Sequence, residues 1–83
     1  MKYRSRTEIV SNILEAASGS ASKTKIMYKA FLSYAQLKEY LAILIEKELL
    51  AHDVANSTYK TTPKGLKFLE TTQKLDGLLE VRP

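Results

Sequence analysis

The sequence has no cysteine and no tryptophan, a single histidine, three glycines and two prolines in 83 residues. The lack of cysteine excludes a disulfide framework, a thiolate zinc site and a thiol nucleophile, and His52 by itself cannot hold a metal ion. So few glycines and prolines, beside 45% hydrophobic and 27% charged residues, describe a folded domain and neither a disordered tail nor a fibre. Gly19, Gly65 and Gly77 are isolated from one another, so there is no glycine-rich loop to cradle a phosphate. No carboxylate pair and no Ser/His/Asp set falls at useful spacing, which leaves no candidate catalytic residue, and neither enzyme chemistry nor a cofactor is expected. Long apolar runs are missing as well. The longest, residues 41–45, is far short of the roughly 18 that a membrane span needs. Met1-Lys2-Tyr3-Arg4 does not lead into the apolar core of a secretory signal, so a cytoplasmic location without a membrane partner is expected.

What is present is an uneven charge. Thirteen Lys and Arg against nine Asp and Glu give a net +4. Residues 1–38 carry seven basic and two acidic side chains, a net +5, and residues 39–83 carry six and seven, a net −1. The positive excess therefore belongs to the front half, where it favours a polyanionic partner. At this length the whole chain, 1–83, forms one domain with little spare surface for a deep cleft.

Periodicity divides the chain into elements. Val10, Ile13, Leu14 and Ala17 recur at i, i+3, i+4 and i+7, predicting a helix over 6–18 that Gly19 stops. A polar break leads to a short helix over 22–30, with Ser22 as N-cap and Ile26, Met27 and Ala30 pointing inward. Ser33 and Gln36 make a Ser-x-x-Gln capping box that opens a third helix, 33–47, with Leu37, Leu41 and Leu44 as its buried stripe. Only two or three residues separate the second helix from the third, a helix-turn-helix spacing. From Leu49 the period becomes two, and Ala55-Asn56-Ser57 offers a turn, so 49–61 reads as a β-hairpin with His52 half-buried or at its edge. Thr62-Pro63 then starts a last helix, 63–80. Phe68, Thr72, Leu75 and Leu79 follow 4-3-4 spacing, the seam of a coiled coil, while Leu66 and Leu69 form an adjacent stripe that can face the core. Two apolar faces predict two partners, one of them a second copy of the chain. Gly77 weakens the last turns by about 1 kcal/mol relative to Ala.

The order helix, helix, helix, hairpin, helix is that of a winged helix-turn-helix domain, mainly α with a small β-hairpin. Lys23-Thr24-Lys25-Ile26-Met27-Tyr28, Leu32-Ser33-Tyr34, Leu37-Lys38-Glu39-Tyr40-Leu41 and Tyr59-Lys60-Thr61-Thr62-Pro63-Lys64-Gly65 resemble a family of small archaeal winged-helix DNA-binding proteins, over roughly residues 8–69. The resemblance implies binding to double-stranded DNA, sequence-specific or chromatin-type, as a homodimer held by the C-terminal helix, and hence association with the nucleoid. One motif departs from that family. Where its members commonly read Lys-Gly-Leu-Ile at the exit of the third helix, this chain reads Lys47-Glu48-Leu49-Leu50. A glutamate in a left-handed cap costs about 1 kcal/mol or more, so either the exit differs locally or the helix runs on.

Such a domain sets the start of its third helix into the major groove. The outward residues there are Ser33, Tyr34, Gln36, Lys38 and Glu39. Gln36 is suited to adenine and Lys38 to guanine, and Tyr34 to a phosphate or a thymine methyl; Gln36 is claimed equally by its cap. Lys23, Thr24, Lys25 and Lys29 are candidates for phosphate contacts, and Asn56, Ser57 and Lys60 for a short, weakly basic wing tip. Residues 1–6, with Lys2, Arg4 and Arg6, are expected to form a basic arm. A second function class stays open: Glu39, Glu46 and Glu48 would repel phosphate, which suits a protein interaction module inside a larger assembly, and an RNA partner shares the same electrostatics.

Overall fold

The computed structural model describes the backbone of residues 4–79 and the side chains of residues 4–75. Seven elements follow in order: α1 (Arg6–Ala16), β1 (Ala21–Ser22), α2 (Lys23–Ala30), α3 (Tyr34–Glu46), β2 (Leu50–Asp53), β3 (Thr58–Thr61) and α4 (Pro63–Leu79). The predicted helix starts are where hydroxyl side chains can take up orphan backbone donors. Ser22 Oγ accepts from the Lys25 amide, and Ser33 Oγ from the Gln36 amide while the Ser33 amide donates to Gln36 Oε1 at 3.0 Å. Thr62 Oγ1 accepts from the Gly65 amide. A further capping box, Ser5 with Glu8, starts α1.

The sheet has three antiparallel strands in the order β1-β3-β2, not the two of a bare hairpin. Ala21 pairs with Tyr59 and Ser22 with Thr58 on one side of β3, and Leu50 pairs with Thr61 and Asp53 with Thr58 on the other. β1 is too short to show any period of its own and exists because Tyr59 and Thr58 offer a free ladder edge. β3 is fastened to α1 as well: Thr61, buried, donates from Oγ1 to the Leu14 carbonyl at 2.6 Å and from its amide to the Ala17 carbonyl at 3.0 Å. The first of these bonds serves a carbonyl in the last turn of α1, and the second joins the Ser20 amide on the Ala17 carbonyl.

The core sits where the first three helices meet the sheet. Ile13, Leu14, Ile26, Leu37, Leu44 and Leu50 are its largest fully buried side chains, and Leu41, Ala17, Ala30 and Tyr59 close around them. Burial of each Leu or Ile contributes about 1.5–3 kcal/mol. Met27 packs against this cluster only partly buried, filling its margin.

Among the described residues, four other than glycine have left-handed backbone: Ser20 (φ 74°), Phe31 (φ 53°), Glu48 (φ 62°) and Ser57 (φ 53°). α1 closes at Ala16 with Ala17 as its C-cap (φ −97°), ahead of the predicted stop at Gly19, which has negative φ; the left-handed residue in the turn that follows is Ser20. At Phe31 and Glu48 the helix ends follow one plan. The Leu32 amide donates to the Met27 carbonyl and the Phe31 amide to that of Tyr28; the Leu49 amide donates to the Leu44 carbonyl and the Glu48 amide to that of Ile45. This paired closure normally recruits glycine at the left-handed position. Glu48 therefore keeps the ordinary exit geometry in spite of its side chain, and α3 does not run on.

The α4 stripe differs from the two-faced expectation. Leu69 is buried, Phe68 and Thr72 are half-buried, and Phe68 packs against the core, so this part of the predicted seam belongs to the domain itself. Leu75, one turn further along the same stripe, is 53% exposed, and Leu66 lies on the opposite side of the helix, exposed. The Leu79 side chain lies outside the described residues.

Candidate nucleic-acid interface

The start of α3 gathers three of the predicted residues. Tyr34 is the first residue of α3, 54% exposed, and its ring carries the Lys23 ammonium from α2 and the Lys38 ammonium from α3, each 5.6 Å from the ring centroid. Ser22 fixes Lys23 by capping α2, and Ser33 fixes Tyr34 by capping α3, so both backbones are set before the side chains meet. Thr24 and Lys25 are exposed in the first turn of α2, where the positive end of the helix dipole adds to the lysine charge. Among the described residues the ion pair formed is Glu70–Lys74, at 4.0 Å, so Lys23 and Lys38 have no carboxylate to neutralise them.

Other predicted residues are placed differently. Gln36 holds its capping bond through Oε1, which turns its amide back toward the Ser33 backbone and competes with a two-bond contact to adenine. Lys29 turns toward α1, lining a shallow depression with Asn12, Glu15 and Ala16. Lys60 is exposed in mid-strand opposite Ala51, away from the wing tip. The tip is Val54–Ser57, with Asn56 Nδ2 donating to Asp53 Oδ2 at 2.8 Å and the Asn56 amide to Asp53 Oδ1 at 3.2 Å. Those bonds from Asn56, side chain first and then backbone, hold the Asp53 carboxyl below its ordinary pKa of 3.8. The wing therefore presents a carboxylate to any approaching phosphate. His52 is exposed on β2 and stacks on Tyr59 with ring centroids 4.3 Å apart.

The expected basic arm is partly built into the domain. Arg4 donates from Nη1 to the Ala30 carbonyl at 2.6 Å and from Nη2 to the Phe31 carbonyl at 2.9 Å, and Arg6 is the first residue of α1. Lys2 lies outside the described residues. Arg4 thus clamps the turn between α2 and α3, across 26 positions of sequence that no local pattern connects. Phe31, in that turn, is 82% exposed.

The outer face of α3 is formed by Ala35, Glu39, Ala42 and Glu46, exposed at helical spacing. Ala35 is a residue that sequence reasoning passed over. Its small side chain in the first turn of α3 allows close approach of the helix to a surface, and apolar contact of this kind suits a thymine methyl. The signal was its position one residue after Tyr34, opposite the Leu37–Leu41 stripe.

Two tightly joined helices, the second with an open and cation-rich N-terminal turn, followed by a two-stranded wing, define a helix-turn-helix of the winged type. The chain belongs to the winged helix-turn-helix family, whose model matches residues 3–80. An uncharacterized protein of Methanocaldococcus jannaschii is 31% identical over 77 residues. That match takes in 92% of the present chain, which spans only 36% of the relative's length. Among solved structures, Sso10a-2, a DNA-binding protein from Sulfolobus solfataricus, superposes with a TM-score of 0.75 at 22% identity, covering 95% of this chain and all of that one. BpsR of Bordetella bronchiseptica, whose DNA binding is regulated by 6-hydroxynicotinic acid, superposes with a TM-score of 0.64 at 21% identity, over 93% of this chain and 68% of its own. At these identities the likeness to the solved structures is one of fold. The resemblance to small archaeal winged-helix proteins holds at the level of family. Among the described residues no helix is long and apolar enough to cross a membrane.

Proposed function

We propose that the protein binds double-stranded DNA with the first turns of α3 in the major groove, acting as a homodimeric transcription regulator or small chromatin protein of the nucleoid. The observation that carries this is the meeting of Lys23, Tyr34 and Lys38 at the tip of α3, with no carboxylate among the described residues paired to either lysine. In this arrangement Lys23, Thr24 and Lys25 take phosphates beside the groove, Lys38 follows its edge, and Ser33 and Ala35 meet base edges. The DNA-binding description of Sso10a-2 and the regulated DNA binding of BpsR support the same partner. The wing contributes little, because the Asp53 carboxylate borders its tip and Lys60 stands back from it. Pairing through α4 uses Leu75, which is exposed on the stripe that Leu79 continues in sequence.

Fluorescence anisotropy with duplex DNA tests this directly. With three or four phosphate contacts per subunit, log affinity against log salt should fall with a slope of about −5 to −7 for the dimer. Lys25→Ala and Lys38→Ala should each reduce that slope by about 2 in the dimer, one contact being lost from each subunit. Sedimentation should give a dimer that Leu75→Glu converts to monomer. A protein that binds no duplex at low salt would refute the proposal. It would favour the second reading, a protein interaction module, which is supported by Ile43 exposed beside Glu39 and Glu46 on the later turns of α3.

A further inference from the structure

Tyr34 is open to solvent beside the groove-facing turn, which makes a base-reading role the obvious one. Its surroundings point elsewhere. A lysine from α2 and a lysine from α3, fifteen residues apart in sequence, share its ring at the same 5.6 Å. The two ammonium groups therefore stand no further apart than twice that distance. Lysine side chains on a surface ordinarily sample many rotamers, and ordering them on contact with a partner opposes binding. A tyrosine face attracts a cation through its quadrupole without neutralising it, whereas a carboxylate would cancel the charge. An ammonium resting on a ring also keeps N–H groups free to donate to an anion. Ring and lysines are held from both sides, since Ser22 and Ser33 cap the two helices and Arg4 clamps the turn joining them.

We infer that Tyr34 is a positioning residue, holding Lys23 and Lys38 as one preformed pair of cations for phosphates of a single DNA strand. The inference rests on the DNA-binding reading above and adds to it that the tyrosine contributes through its ring, with its hydroxyl and any base contact secondary. The arrangement ties α2 to α3 at the surface where both meet the backbone, so both lysines arrive on DNA already oriented. Phosphate contacts of this type strengthen binding to every sequence alike.

The test compares Tyr34→Leu and Tyr34→Phe in the full chain, alone and combined with Lys23→Ala/Lys38→Ala, on two duplexes of unrelated sequence at fixed salt. Tyr34→Leu should weaken both duplexes equally, by about five- to thirtyfold for each subunit engaged, the worth of two exposed cation–ring contacts. Tyr34→Phe should change neither, and Tyr34→Leu should cost nothing further once both lysines are alanine. In NMR spectra the Hε signals of Lys23 and Lys38 should lose their ring-current shift in Tyr34→Leu and keep it in Tyr34→Phe. A loss in Tyr34→Phe as large as in Tyr34→Leu would overturn the inference in favour of the hydroxyl. A loss confined to one duplex would overturn it in favour of base contact. An unchanged Tyr34→Leu, or one still costly without the lysines, would overturn it outright. Wild-type protein that binds neither duplex would instead defeat the underlying DNA-binding reading, an outcome visible before any variant is compared.

Discussion

Gly65→Ala is the substitution whose sign the structure fixes most firmly. Gly65 lies in the first turn of α4, where alanine is ordinarily the better helix former by about 1 kcal/mol. Here a Cβ would overlap the Leu49 carbonyl oxygen and stand 2.6 Å from Thr61 Cγ2. The carbonyl is backbone, at the exit of α3, and cannot rotate aside. It also accepts a hydrogen bond from the Thr62 amide, so any retreat breaks a second contact. Overpacking of this kind costs about 1–3 kcal/mol, occasionally more, and the propensity gain offsets only part of it. We expect a net loss of about 1–2 kcal/mol, which lowers Tm by about 4–16 °C for a domain of this size. Gly19→Ala is the matched control: nothing lies within 4 Å of its Cβ position and its φ is not positive, so it should be neutral or stabilising by up to about 1 kcal/mol. Thermal melts followed by circular dichroism, at one protein concentration because pairing would shift Tm, decide the matter. If Gly65→Ala melts at or above the wild type, the close approach of α4 to the exit of α3 is wrong.

The left-handed positions supply a second expectation: Phe31→Gly and Glu48→Gly should each raise stability by about 1 kcal/mol, seen as a higher urea midpoint at unchanged m-value. No gain at either site would mean that the turn relaxes out of the left-handed region in solution. A third concerns pH. Because the fold depresses the Asp53 pKa below 3.8, its contribution to wing stability is present above that value and lost as pH falls through the lower folded value. A carboxyl-carbon NMR titration should place Asp53 below the ordinary aspartate range in the wild type and return it toward that range in Asn56→Ala. Identical titration in both proteins would show that the Asp53–Asn56 bonds do not persist.

What the sequence reveals and what it hides follow a physical boundary. Helix starts at Ser22, Ser33 and Thr62 were legible because a capping hydroxyl acts within three residues of itself. The buried stripe Leu37, Leu41 and Leu44 was legible because helical period is local. β1 was not, since two residues have no period and Ala21 owes its conformation to Tyr59, 38 positions away. Nor was the Arg4 clamp, a contact between an arginine ahead of α1 and the carbonyls of Ala30 and Phe31 at the end of α2. The left-handed Phe31 and Glu48 ran against propensity, and only the closure of each helix end makes them necessary. At the candidate site, Lys23, Tyr34 and Lys38 were individually readable as basic or exposed residues, but their meeting over one ring depends on the angle between α2 and α3. That Lys29 faces α1 and Lys60 stands in mid-strand was hidden for the same reason, because charge counts carry no direction. The α4 stripe was read as a separate seam since 4-3-4 spacing does not say where the domain body ends.

The junction around Gly65 has a mechanical side. Three successive carbonyls at the exit of α3 receive donors from the start of α4: Lys47 from Lys64 Nζ at 3.0 Å, Glu48 from Thr62 Oγ1 at 2.7 Å, and Leu49 from the Thr62 amide at 3.1 Å. The wing that intervenes in sequence is bypassed by these bonds, which weld the two helices end to end. α4, about 25 Å long from its 17 residues, then works as a lever whose fulcrum is the root of α3. Torque applied near Leu75 would reach the exit of α3 through these bonds without first passing along the wing. The inclination at which two such levers cross would dictate how far apart, and at what pitch, their α3 tips are offered.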